Sequence, residues 1–162
     1  MSTLLAVLAV LVLLAAYVTW TAGRLDRLHA RVDAAWAALD AQLVRRAAAA
    51  RELVPALSGT SEGAALDAAA ARALEAGPDG REEVENDLSR VLKTAVPLLD
   101  PDADLDRLRS AATRVALARS FHNAAVKDTR SVRWRRIPRL LRLAGHRAMP
   151  TYFEIDDTAL AG

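Results

Sequence analysis

Few side chains in this chain have the types and spacing that chemistry requires. It has three histidines, His29, His122 and His146. A carboxylate-bridged di-iron bundle needs two Glu-x-x-His units on facing helices. Asp26-x-x-His29 is the one near match, and it lacks a counterpart. Ser120 and His122 stand two apart on a presumed helix and so point to different faces, which argues against a nucleophile–base pair. There is no cysteine, which removes thiol catalysis, disulfides and Cys-based zinc or iron–sulfur sites. There is no glycine-rich phosphate loop either. The expectation is a protein that is not an enzyme and has no cofactor, no metal and no catalytic residues.

Two constellations fit packing better than a ligand pocket. Trp36 and Asp40 lie one turn apart on a long helix, and Asn123 and Asp128 lie on a later one. Trp36 is expected to fill the contact between those helices, its indole N–H finding an acceptor. Gln42, Arg45 and Arg46 read as solvated on composition, with recognition of an acidic partner as the alternative.

Charge is polarised. Seven arginines (Arg130, Arg133, Arg135, Arg136, Arg139, Arg142 and Arg147) occur with no acid among them, interleaved with Trp134, Ile137, Leu140, Leu141 and Leu143. The other 15 basic residues face all 20 acidic ones, so the rest of the chain is near −5. Three readings are open for this segment. The first is contact with anionic lipid headgroups, at about 1 kcal/mol per basic residue near a charged leaflet. The second is return onto the acidic residues Glu82, Glu83, Glu85 and Asp87 of the same chain. The third and weakest is nucleic acid, because one tryptophan is not a stacking platform.

The elements that must position these groups are helical. Alanine is abundant and aromatics are scarce, which favours close-packed helices over sheets. Leu4 to Ala22 carries no charge for 19 residues. At about 1.5 Å per residue that covers the roughly 30 Å hydrocarbon core of a bilayer. A cleaved signal peptide fits less well: no Lys or Arg precedes the run, the run is too long, and Trp20 stands close before the best small residue, Ala22. Arg24, Arg27 and Arg31 follow the span and Tyr17 and Trp20 mark its end, so the N-terminus is expected outside and the body in the cytoplasm.

Beyond it, Leu25, Leu28, Val32, Trp36, Leu39 and Leu43 recur at helical steps, so the span should run on as one helix until Pro55 ends it. The predicted fold is all-α, an N-terminal transmembrane helix continuing into an antiparallel bundle of about four helices. The expected division is 1–23 for the span, 24–130 for the bundle (helices 24–57, 61–76, 80–96 and 101–130) and 131–162 for the basic, aromatic-containing segment. The turn Ser58-Gly59-Thr60-Ser61 supplies hydroxyls that can cap the second helix. Asp79 with Glu82 reads as a capping box for the third, and Asp100-Pro101-Asp102 as the start of the fourth.

Several blocks of the chain resemble the LemA family of bacterial membrane proteins. These are AWAALDAQLVRR (Ala35 to Arg46), Leu53-Val54-Pro55, ARSFHNAAVKD (Ala118 to Asp128), Ile137-Pro138 and Tyr152-Phe153-Glu154. The family pattern runs approximately AWA-x-I-D-x-QLKRR, LIPNLV, AR-x-x-YN-x-AV-x-x-YN, an FP pair and FFE. Trp36, Asp40, Gln42, Arg45, Arg46, Pro55, Asn123, Pro138, Phe153 and Glu154 fall on that pattern. Ala47 to Ala50 are extra relative to it, and Thr129-Arg130 stands where its second Tyr-Asn pair would be. The resemblance implies a single-pass protein of the bacterial inner membrane with a helical body and no known catalytic residues. The expectation is a membrane-anchored scaffold or protein-interaction module whose partners are the bilayer and an unidentified membrane protein, self-association being open. An accessory or regulatory subunit of a membrane enzyme, for example a protease, is the alternative. A helical bundle secreted after cleavage is the third.

Overall fold

The computed structural model describes residues 1–100, 105–134 and 148–156. Its order is α1 (Ser2–Arg51), a 3-10 turn (Val54–Leu57), α2 (Ser61–Glu75), α3 (Arg81–Ala95), a second 3-10 turn (Val96–Leu98) and α4 (Asp106–Arg133). Among the described residues there is no strand. The described residues are all-α, with four α-helices, as the composition predicts.

Prolines set two of the boundaries. Pro55 lacks an amide hydrogen and disfavours helical geometry at Val54. The chain responds by leaving α-helix at Arg51 and passing Pro55 through the tighter 3-10 turn. Pro97 lies in the second such turn, after α3. Thr60 caps α2, its hydroxyl oxygen accepting from the Gly63 N–H at 3.0 Å. The capping box at Asp79 does not form. Gly80, at φ 76°, is the cap residue, no side chain caps the helix, and Glu82 bonds elsewhere. A left-handed residue at the helix entrance suits glycine, so the start moves one residue on. Pro101 and Asp102 lie outside the described residues, and α4 is described from Asp106.

Contacts divide the chain into two compact units, each fed by α1 and α4. The first comprises Met1–Ala35 and Asn123–Tyr152. Val32 packs there on Ala125 and Val126, with Ala35 at the edge. The Thr129 hydroxyl donates to the carbonyls of Ala125 (2.9 Å) and Leu28 (3.4 Å). The opening of α1 has no such cover. Every large apolar residue from Leu4 to Leu14 is 52–75% exposed.

The second unit comprises Trp36–His122 and Phe153–Gly162. Its main core joins Ala47, Ala49 and Ala50 of α1, Leu66, Ala69, Ala70 and Ala73 of α2, Leu88 and Leu92 of α3, and Leu108 and Ala111 of α4. Three residues of the Ala47–Ala50 block are therefore core, and Ala48 is exposed. Four residues advance a helix by one turn plus about 40°, so the apolar face is kept. A smaller core joins Leu39, Leu43, Val115, Phe153 and Ile155.

Gly63 sits where α2 crosses the preceding turn. A Cβ there would lie 2.3 Å from the Leu57 carbonyl oxygen and 3.0 Å from its carbon. Helix propensity alone favours Gly63→Ala by about 1 kcal/mol. Backbone contact outweighs it, so Gly63→Ala is expected to destabilise by about 1–3 kcal/mol in chemical denaturation. An unchanged or raised midpoint would show that the turn yields.

Candidate functional site

Two arrangements in the second unit bring polar chemistry together. The first is an ionic cluster in its interior. Arg46, Arg81 and Glu85 are 2%, 1% and 0% exposed. Arg46 Nη2 donates to Glu85 Oε2 at 2.7 Å and to the Glu85 carbonyl at 3.0 Å, while Nη1 reaches Ser89 Oγ at 3.3 Å. Arg81 Nε lies 3.2 Å from Glu85 Oε1 without hydrogen-bond alignment. Its Nη1 donates to the Ala76 carbonyl at the end of α2 (2.6 Å) and lies 3.5 Å from Asp40 Oδ1. The cluster thus ties α1, α2 and α3. Burial pushes the Glu85 carboxyl above its ordinary value of 4.5, with Arg46 and Arg81 pulling it back.

This cluster corrects the reading of Arg46 as solvated. Arg45 is exposed, but Arg46 is one residue, and so about 100°, further round α1 and faces the core. Arg81 escaped sequence reasoning, and Glu85 reads there as an accessible acid for the basic segment to return onto. Both stand in a charged stretch, Arg-Glu-Glu-Val-Glu-Asn-Asp, which reads as a solvated first turn; Glu85 is instead buried against Arg46 and Arg81. The available signal was their i,i+4 spacing in register with Leu88 and Leu92.

The second arrangement is an aromatic contact covered by a returning segment. Trp36 meets His122 edge-on (5.5 Å, 63°) and Phe153 likewise (5.4 Å, 68°). Trp36 therefore packs between α1 and α4, as expected, but is half-buried rather than filling the contact. Phe153 and Ile155 are buried while Glu154 and Asp156 are exposed. Alternation of that kind belongs to an extended segment. The Glu154 N–H donates to Glu82 Oε1 (2.7 Å) and the Asp156 N–H to Asn86 Oδ1 (2.8 Å). Lys93 Nζ meets Asp156 Oδ2 at 2.6 Å, and Arg119 Nη1 lies 3.6 Å from Glu154 Oε2 and 3.5 Å from the Ile155 carbonyl.

Of the remaining residues singled out, Gln42 Oε1 accepts from Arg45 at 3.5 Å, Pro55 is exposed in its turn, and Asn123 is half-buried in the first unit. Arg130 and Arg133 turn inward within that unit. The Arg130 guanidinium stacks 5.3 Å from the Tyr152 ring and donates to the Pro150 carbonyl; Arg133 donates to the Ala148 carbonyl at 2.8 Å. Arg133 also lies 3.4 Å from His29 Nε2, whose other nitrogen contacts the Leu25 carbonyl at 2.8 Å. Because a carbonyl only accepts, that pair fits the tautomer with hydrogen on Nδ1. Trp134 is exposed. Arg135, Arg136, Pro138, Arg139, Arg142, His146 and Arg147 lie outside the described residues. No group of three or more metal-ligating side chains occurs among the described residues.

Fold and exposure together define a helical bundle carrying one N-terminal helix long and apolar enough to be a membrane span or a signal sequence. Comparison with family models, curated proteins and solved structures returned no match.

Proposed function

We propose that this chain is a membrane-anchored helical scaffold or interaction module of the LemA type, inserted once in a bacterial inner membrane with its N-terminus outside and its body in the cytoplasm. The observation that carries the reading is the bare apolar end of α1. An 18-residue window there is wholly unburied by protein, and its apolar side chains point to all sides of the helix. Such a surface in water is costly, whereas in lipid the helix satisfies its own backbone groups. Arg24 rests 5.7 Å from the Trp20 ring, a pairing suited to the headgroup boundary, and the basic residues follow the span. The anionic-lipid role of Arg135, Arg136, Arg139, Arg142 and Arg147 belongs to the same proposal, whereas Arg130 and Arg133 are engaged within the first unit.

Carbonate washing of membranes followed by protease treatment of spheroplasts tests it. The full chain should stay in the membrane pellet, start at its own N-terminus and keep its body protected from outside protease. A chain beginning after Ala22 would assign cleavage and a secreted bundle; digestion of the body from outside would reverse the topology.

A further inference from the structure

We propose that the face of the second unit covered by Phe153-Glu154-Ile155-Asp156 is a recognition groove for extended protein segments of apolar–acidic–apolar–acidic pattern, held closed by the chain's own tail. This names the ligand class of the interaction module proposed above and rests on that reading.

The geometry of the backbone contacts carries the argument. Glu82 and Asn86 are one turn apart on α3, a rise of about 6 Å, and the N–H groups they accept from are two residues apart in an extended segment, about 6.6 Å. A helix has no free backbone edge with which to pair a strand. Two side-chain acceptors at i and i+4 supply the equivalent, and Arg119 donates to the intervening Ile155 carbonyl. These contacts read main chain and therefore accept any extended segment. Selectivity comes from the side chains, as in strand-addition recognition. Phe153 and Ile155 enter the apolar floor of Leu39, Leu43 and Val115 beside Trp36. Lys93 and Arg119 stand where acids follow them. An open hollow lined by Asn86, Arg90 and Lys93 adjoins the tail on the same side, which adds a further cation to the groove's surroundings.

The tail's hold is local. It is a short element whose Phe153 and Ile155 side chains and polar contacts to α3 and α4 secure it, the kind of element that opens without global unfolding. Being tethered, it competes at an effective concentration in the millimolar range, so an outside segment binds well only when the tail is loosened.

The test is fluorescence anisotropy of a labelled peptide, Thr-Tyr-Phe-Glu-Ile-Asp-Asp, titrated with the full chain in detergent. Loosening the tail by Phe153→Ser with Ile155→Ser should tighten peptide binding by about tenfold or more over the parent chain. Asp156→Lys, which sets two cations together and removes nothing from the core, should tighten it in the same direction, with unchanged helical circular dichroism. Adding Lys93→Glu to either loosened chain should reverse the gain, and a scrambled peptide should not bind. Equal binding by parent and both loosened chains, or equal binding of the scrambled peptide, overturns the proposal. So does exchange of tails between copies, read as a disulfide between a Lys93→Cys chain and a separate Asp156→Cys chain, since the sequence has no cysteine of its own. That result would give the groove to a second copy. The titration needs no membrane, so its failure and a failure of membrane retention are separate results.

Discussion

Glu85→Ala is expected to destabilise the bundle by roughly 3–5 kcal/mol, because it leaves the Arg46 and Arg81 guanidiniums buried and facing a void. Against the 5–15 kcal/mol typical of whole domains, that approaches unfolding. The loss measures the uncompensated cations, not the net worth of the ion pairs. Replacing all three residues by leucine or methionine should therefore be neutral or stabilising by up to about 4 kcal/mol. Urea denaturation of single and triple variants checks both, and strict additivity would contradict the coupling. The cluster has weak points that favour this outcome. Arg46 Nε, Arg81 Nε and Nη2, and Glu85 Oε1 lack hydrogen-bond partners among the described residues. A pH profile gives an independent sign. Burial raises Glu85 above 4.5, so the folded chain holds that proton more tightly than the unfolded one. Its contribution to stability is then fully present below about pH 4.5 and is lost as pH rises through the raised folded value. Glu85→Gln should flatten that part of the slope.

Val12→Arg with Leu13→Arg is expected to abolish membrane retention while leaving bundle stability unchanged. Each arginine costs about 2.5–3.5 kcal/mol at the centre of a span, and each lost apolar residue forfeits about 0.3–0.6, so the pair amounts to roughly 6–8 kcal/mol. In the folded protein the same two side chains are 60% and 70% exposed and belong to no core cluster. Carbonate extraction should move the variant to the supernatant with an unshifted denaturation midpoint. A shifted midpoint would mean that this end of α1 packs on protein; a retained variant would mean that it does not insert.

Local order was legible in the chain because its causes are local. Pro55 announces the end of α1, and the turn Ser58-Gly59-Thr60-Ser61 supplies the cap of α2. Of the stripe Leu25, Leu28, Val32, Trp36, Leu39 and Leu43, all but the half-buried Leu28 and Trp36 fall on buried positions. Where two local signals competed, the sequence misled: Asp79 and Glu82 have the spacing of a capping box, but Gly80 between them accepts a left-handed backbone at no steric cost and takes the helix entrance. The candidate site was half legible. Trp36 stood out by type, and Phe153 and Glu154 only by the resemblance of their block to a family pattern. Glu82 reads as a capping residue, and Asn86 and Lys93 looked like ordinary surface polar residues until the tail was laid across them.

The sequence by itself determined the all-helical class and the long apolar opening of α1, since alanine-rich composition, helical periodicity and an uncharged run of 19 residues act over one or two turns at a time. Only the tertiary structure decided which charges are interior. Arg45 and Arg46 are chemically identical neighbours, and Glu82 and Glu85 lie on one short helix, yet one of each pair is solvated and the other buried. Helical phase separates them by about 100° and 300°, but phase acquires meaning only once another helix occupies one side. That occupant comes from 39 residues away in the case of Arg46 and Glu85, and some 70 away for the tail on α3, beyond the reach of any local pattern.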